Sequence, residues 1–258
     1  MNGFVLFFKK EVAELLKTVK GIVFAAVFFI VAVISPVIVK LTPEIIKMAD
    51  LGEEFEALMA IIPEADSTAS YAQFYENFNT IGLLAVIIVF AGVVSNEKSK
   101  NTAAYILTKN ISRTQFIFSK FFASVVFVFV SLVLSMGTQM IYTSVLFSDG
   151  LIKLPDAAVY FAFLFIYLVF ILTFVLFSSV ISKNVTSATF FAFLIFIILN
   201  IIASIPKIGK YMPPSINNFG ILTGAVKIGD LTASIIITVL FSAAFLILSA
   251  EIFKKQEL

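Results

Sequence analysis

The amino-acid sequence predicts an all-α integral membrane protein with six transmembrane helices, and three observations point there. Hydrophobic residues make up 60% of the chain and charged residues only 13%, with a mean hydropathy of +1.08, against roughly 45–50% apolar and about 25% charged in soluble domains. Six apolar stretches recur along the chain, most near the ~20 residues that cross a ~30 Å hydrocarbon layer at about 1.5 Å per residue. The charges are confined to the segments between them.

The predicted spans are 21–39, 72–95, 119–147, 157–182, 186–205 and 231–251. The apolar centre of the second is short, Thr80 to Val94, so the span borrows its outer turns from Tyr71 to Asn79, where Tyr71, Phe74, Tyr75 and Phe78 suit an interfacial aromatic belt. The third is longer than a crossing needs and should tilt or project.

Before the first span, residues 1–20 read as an amphipathic helix: Phe4, Phe8, Val12, Leu15 and Val19 recur on one face, while Lys10, Glu14 and Lys17 mark another. Such a helix lies in the membrane interface with its lysines toward anionic head groups. The preamble is long, amphipathic and followed by further spans, which predicts an uncleaved first helix rather than a secretory signal.

Between the first two spans, residues 40–71 form a loop with its own amphipathic helix. Thr42 is placed as an N-cap, Pro43 at the first helical position and Glu44 near the positive end of the dipole. Ile45, Ile46, Met48, Ala49, Phe55, Leu58 and Met59 supply the apolar face, interrupted by Gly52. The loop's many acids read as a solvated face. Residues 206–230 combine Pro206, Pro213, Pro214, Gly209, Gly220, Gly224 and Gly229 with apolar residues. That mixture breaks a long helix and disfavours a fully wet loop, so a re-entrant or interfacial hairpin is expected, with an irregular cap as the plainer alternative.

Orientation follows from the eighteen Lys and Arg residues. With the N-terminus inside, twelve fall on the inner face (Lys9, Lys10, Lys17, Lys20, Lys98, Lys100, Lys109, Arg113, Lys120, Lys183, Lys254 and Lys255), leaving 18 − 12 = 6 outside. Both termini are therefore expected to be cytoplasmic, in a multi-pass cell-membrane protein.

Several chemistries are excluded by inventory. The chain has no Cys, His or Trp, which removes thiolate nucleophiles, imidazole bases, disulfides and Cys/His zinc sites. No G-x-x-x-x-G-K-[ST] loop occurs, so nucleotide chemistry must come from elsewhere. The apolar centres of the spans hold no Asp, Glu, Lys, Arg or His, which argues against an ion-coupled carrier. Their Ser and Thr residues read as helix-packing glue. Gln139 and Asn200 are harder to hide in lipid and should face another helix, a subunit interface or a substrate path. A net charge of +2 gives no ground for nucleic-acid binding.

The stretch 96–120, NEKSKNTAAYILTKNISRTQFIFSK, carries the most information. Ala103 to Leu107 is enough for about two helical turns, and Ser112 followed by Gln115 three residues on is a capping-box pattern that starts a second helix running through Lys120 into the third span. A short helix, a bend and a capped start make a rigid knob. The order Glu97, Lys98, Asn101, Thr102, Leu107, Ser112, Arg113 and Lys120 resembles the signature of ABC-2 type permeases, the membrane subunits of ATP-binding-cassette exporters. In that family the segment reads as an acid and a base, Gly-Thr, a leucine-rich turn, Pro-x-Ser-Arg and a lysine. Here Asn101 stands at the glycine and Asn110 at the proline.

The resemblance implies that residues 96–118 are a cytoplasmic coupling loop and residues 1–20 an elbow helix. It implies pairing with a second permease subunit and with two separate ATPase subunits, which would bind the ATP and Mg²⁺; no cofactor is expected on this chain. Glu97, Lys98, Asn101, Thr102, Leu107, Ser112 and Arg113 would form the docking interface, with Glu97 and Arg113 as the chief contacts. The chain itself would be no enzyme, but a permease without an ATPase site. The competing expectations are an ion-coupled secondary transporter and a non-transporting membrane scaffold.

Overall fold

The computed structural model describes residues 3–48, 64–108, 111–148 and 153–256, which are helical with no strand among them. In chain order the helices are α1 (Gly3–Lys17), α2 (Val19–Met48), α3 (Ser67–Asn77), a π-helical turn (Phe78–Gly82), α4 (Leu83–Phe90), α5 (Ser95–Ser99), α6 (Thr102–Leu107), α7 (Arg113–Leu146), α8 (Leu154–Ile181), α9 (Val185–Ala203), α10 (Pro206–Gly209) and α11 (Thr232–Lys255). Six helical units are long and apolar enough to cross a membrane: Val19–Met48, Ser67–Ser99, Arg113–Leu146, Leu154–Ile181, Val185–Ala203 and Ile228–Lys255. The chain is thus a six-span, all-helical membrane protein.

Phenylalanine carries much of the packing. Phe24 of α2 lies 4.3 Å from Phe28 and 5.3 Å from Phe90, and Phe28 lies 5.0 Å from Phe78, so aromatic rings tie the first span to the second. Phe127 joins α7 to the same group. α8 is the most enveloped span, with 67% of its apolar window buried, against 17% for α9 and for the last span. The sides of those two are therefore largely uncovered by the rest of this chain.

Local chemistry explains the element ends. Asp66 caps α3 by accepting from the Ala69 amide at 2.6 Å, which starts the second span at Ser67 rather than at 72. Ser112 and Gln115 form the predicted capping box, and α7 begins at Arg113. Between α4 and α5 the helix loosens at residues 91–94, and the Ser179 hydroxyl of α8 accepts from the Val94 and Ser95 amides at 3.0 Å each. These donors would otherwise be orphaned inside the protein. A Cβ on Gly21 would sit 1.7 Å from the Leu15 carbonyl oxygen, so only glycine fits where α1 passes into α2.

Three expectations change. Thr42 does not cap a new helix: α2 runs on to Met48 with Pro36 and Pro43 inside it, and the Thr42 hydroxyl donates back to the Ile38 carbonyl at 2.7 Å. A proline interrupts a helix's hydrogen-bond ladder without necessarily ending the helix. The remainder of the predicted loop helix, including Phe55, Leu58 and Met59, lies outside the described residues. Tyr71, Phe74 and Phe78 are not a belt at the lipid surface; all three are buried against neighbouring helices. The buried side of α1 centres on Phe7 and Glu11, whereas Val19 is 75% exposed at the start of α2.

Residues 206–231 form a broken cap of short turns: α10 and the 3₁₀ turns Pro213–Ile216, Phe219–Ile221 and Ile228–Leu231. Ile216 is fully buried beneath it, and the Tyr75 hydroxyl donates to the Asn217 carbonyl at 2.9 Å.

Candidate functional site

Both termini and the 96–120 bend share one end of the bundle, where five charged side chains meet. α1 contributes Lys10, Glu11 and Glu14, α5 contributes Glu97 and α7 contributes Lys120. Lys120 is 2% exposed; its ammonium lies 2.8 Å from Glu11 and 2.8 Å from Glu97. Lys10 reaches Glu11 at 3.0 Å and Glu14 at 2.6 Å, and approaches Glu97 at 3.8 Å. The rings of Phe7 and Phe116 flank Lys120, at 5.7 and 5.0 Å from its nitrogen. Phe116 stacks in turn on Phe253 near the end of α11, at 5.1 Å. One buried cation thus ties the N-terminal helix and the bend to the third span.

Burial works against the Lys10 ammonium, yet its hydrogen bond to Glu14 and the charges of Glu11 and Glu97 hold its pKa above the ordinary lysine value. Burial pushes the Glu14 carboxyl up, but the Lys10 hydrogen bond and charge outweigh it and hold that group below the usual range. Glu11, Glu14 and Glu97 stand close enough together for a metal ion. Lys10 and Lys120 already pair with them, and that makes the cluster an ion-pair network.

The bend is built as its residues suggest. Asn101 is the one non-glycine residue of positive φ among those described, at +55°, and Asn tolerates that left-handed geometry better than most residues. Thr102 donates its hydroxyl to the Glu97 carbonyl at 3.2 Å, which closes the turn. Leu107 packs its side chain against the core, and Ser112 caps α7. Lys98 donates to the Val180 carbonyl at 2.6 Å, at the end of α8 where free carbonyls gather. Arg113 donates to the carbonyls of Phe253 and Lys254, at 3.2 and 2.9 Å, and to that of Gln256. The charged ends of Glu97, Lys98 and Arg113 are therefore engaged within this chain, and they hold the bend against the bundle. Beside α6 an open notch of about 430 Å³ is lined by Ala104, Leu107, Thr108, Ile111, Ser112 and Arg113.

Gln139 and Asn200 lie far from this cluster in kind. Gln139 is fully buried, and its amide donates to the Ser70 carbonyl and hydroxyl and to the Thr143 hydroxyl at 3.1–3.2 Å, while its Oε1 has no partner. It joins α7 to α3. Asn200 donates to the Phe196 carbonyl of its own helix at 2.8 Å and is half-buried.

The sequence reading missed Glu11, and it placed Lys120 as an inner-face cation and the last residue of the signature, without a partner. A signal existed for the first: Phe4, Phe8, Glu11 and Leu15 fall at i, i+4, i+7 and i+11, which puts a carboxylate in the apolar stripe. Its partner, 109 residues away, has no such signature.

No protein of curated function matches the sequence. A family model described as "Protein of unknown function (DUF2705)" matches residues 28–258, all six spans but the opening turns of the first, and the chain belongs to that family.

Proposed function

We propose that this chain is the permease subunit of an ABC-2 type exporter, driven by ATP hydrolysis on separate ATPase subunits, with both termini in the cytoplasm. The observation that carries the reading is the ordered series from Glu97 to Lys120, in which a left-handed residue, a two-turn helix and a boxed helix start follow one another between the second and third spans. The ion-pair network supports it. A push on α6 would reach α1 through Glu97 and Lys120, and α11 through Arg113.

On this reading two permease subunits pair and two ATPases dock at the α6 notch. Leu107, Thr108, Ile111 and Ser112 make the contact, α1 acts as the elbow, and Glu97 and Arg113 act as positioning residues behind it. The test is co-expression with an ATP-binding-cassette ATPase, sought first among the genes beside that of this chain. Thr108→Arg, at an exposed position of the notch, should abolish co-purification and substrate-stimulated hydrolysis while leaving the permease monodisperse. Undiminished co-purification overturns the docking site, and proton- or sodium-driven flux by the chain alone overturns the class.

A further inference from the structure

Beside the charge cluster, a cleft of about 350 Å³ opens between the α1–α2 junction and the α4–α5 break; its lining includes Thr18, Lys20, Val89, Asn96 and Lys100. An apolar groove of about 280 Å³ runs along the adjoining faces of α2 and α4, lined by Val23, Val27, Ile81, Leu84, Ile88 and Val89 among others. Val89 borders both, so the polar mouth and the apolar groove adjoin. Val23, Ile81, Leu84 and Ile88 are exposed on the bundle's outer side, at 50%, 49%, 41% and 54% respectively.

The mouth carries two cations that the ion-pair network does not use. Lys20 and Lys100 have no acidic partner among the described residues. Gly92 lies beside the first: a Cβ there would stand 3.5 Å from the Lys20 nitrogen. The Asn96 amide donates to the Gly92 carbonyl at 3.1 Å, so this ammonium stands within one helical turn of Asn96. Of the lining residues, Glu11, Glu14 and Glu97 contribute −3 and Lys20, Lys100 and Lys120 contribute +3; Lys10, outside the lining but paired with Glu14, brings the sum with it to +1. A phosphodiester brings −1 and neutralises it.

We propose that this seam binds one anionic phospholipid, with its phosphate between Lys20 and Lys100, its headgroup hydroxyls toward Thr18 and Asn96, and an acyl chain along the α2–α4 groove. A lysine-flanked mouth adjoining an apolar groove at the bundle's charged end matches an anionic headgroup with its tail in the hydrocarbon layer. The site does not depend on the exporter reading.

Native mass spectrometry of the full chain in detergent tests it, using phosphatidylglycerol and phosphatidylcholine of identical acyl chains. Phosphatidylglycerol should bind about tenfold more tightly or better, since each lysine near the surface adds to anionic attraction. The Lys20→Ala, Lys100→Ala double variant should bring it to the phosphatidylcholine level; both residues are exposed, so the fold should survive. Inorganic phosphate in excess should not displace the lipid. Equal binding of the two lipids by the unaltered chain, undiminished phosphatidylglycerol binding by the double variant, or displacement by phosphate would each overturn the proposal.

Discussion

The two ends of the bundle solve the same problem by different means. At the end that carries the termini, helices are joined by ions: Lys120 pairs with Glu11 and Glu97, and Arg113 holds the last turn of α11. At the opposite end they are joined by neutral groups. Gln139 meets Ser70 and Thr143, the Asn77 amide donates to the Ser35 hydroxyl at 3.0 Å, and Asn217 donates to Asn79 at 2.5 Å. The π-helical turn after Asn77 helps aim Asn77 and Asn79 at different neighbours, α2 and the broken cap. Breaking an ionic joint strands a buried charge, whereas breaking a neutral one loses a modest hydrogen bond. The charged end is therefore the costlier one to break at a single position.

The largest effect expected from this contrast is at Lys120. Lys120→Met leaves Glu11 and Glu97 without their buried cation and should cost about 3–5 kcal/mol, read as a drop in thermal unfolding midpoint in detergent. Adding Glu11→Gln and Glu97→Gln to the same protein should recover much of that loss. If the single substitution is neutral, the cluster is not a joint.

Next comes the α1–α2 corner. Gly21→Ala drives a methyl into the Leu15 carbonyl and should cost about 1–3 kcal/mol, of the order of an overpacked core. Protease sensitivity confined to α1 would place the damage there. A loss spread evenly over the chain would instead mean that α1 is not a separable unit.

Caps compare the two ends directly. Asp66→Ala on α3 and Ser112→Ala on α7 each remove one N-cap and should each cost about 1 kcal/mol. A much larger cost at Ser112 would mean that the ionic network amplifies local damage. The smallest expected effect is at Gln139: Gln139→Leu loses its hydrogen bonds but relieves an unpaired Oε1, with a net cost of about 0.6 kcal/mol, typical of polar contacts between membrane helices.

Acid should also act on the charged end. The folded Glu14 carboxyl titrates below its unfolded value, so its contribution is complete above the ordinary carboxylate range and is lost as pH falls through the lowered folded pKa. Lys10 is raised, so its contribution is lost only as pH rises through a folded pKa above the usual lysine value. Hydrogen exchange measured as pH falls below the ordinary carboxylate range should show α1 loosening.

What could be read from the residues alone was whatever depends on short windows of chain. Six apolar runs, the Ser112–Gln115 box and the two-turn helix at 102–107 are local patterns, and each set its own helix. Thr42 and Pro43 misled for the same reason: a cap is a local choice, and here an unbroken α2 outweighed it. Tyr71, Phe74 and Phe78 looked amphipathic in isolation, but whether an aromatic ring meets lipid or another helix depends on which helix lies beside it.

Only the tertiary structure decided which charges are joints and which are free. Glu11, Glu97 and Lys120 are separated by up to 109 residues, and their pairing exists because α1 packs across the start of α7. Lys20 and Lys100 look no different in the sequence, yet they are left unpaired at the mouth of a cleft. Ion pairing is set by distance and burial, and neither is written in the spacing of residues along a chain.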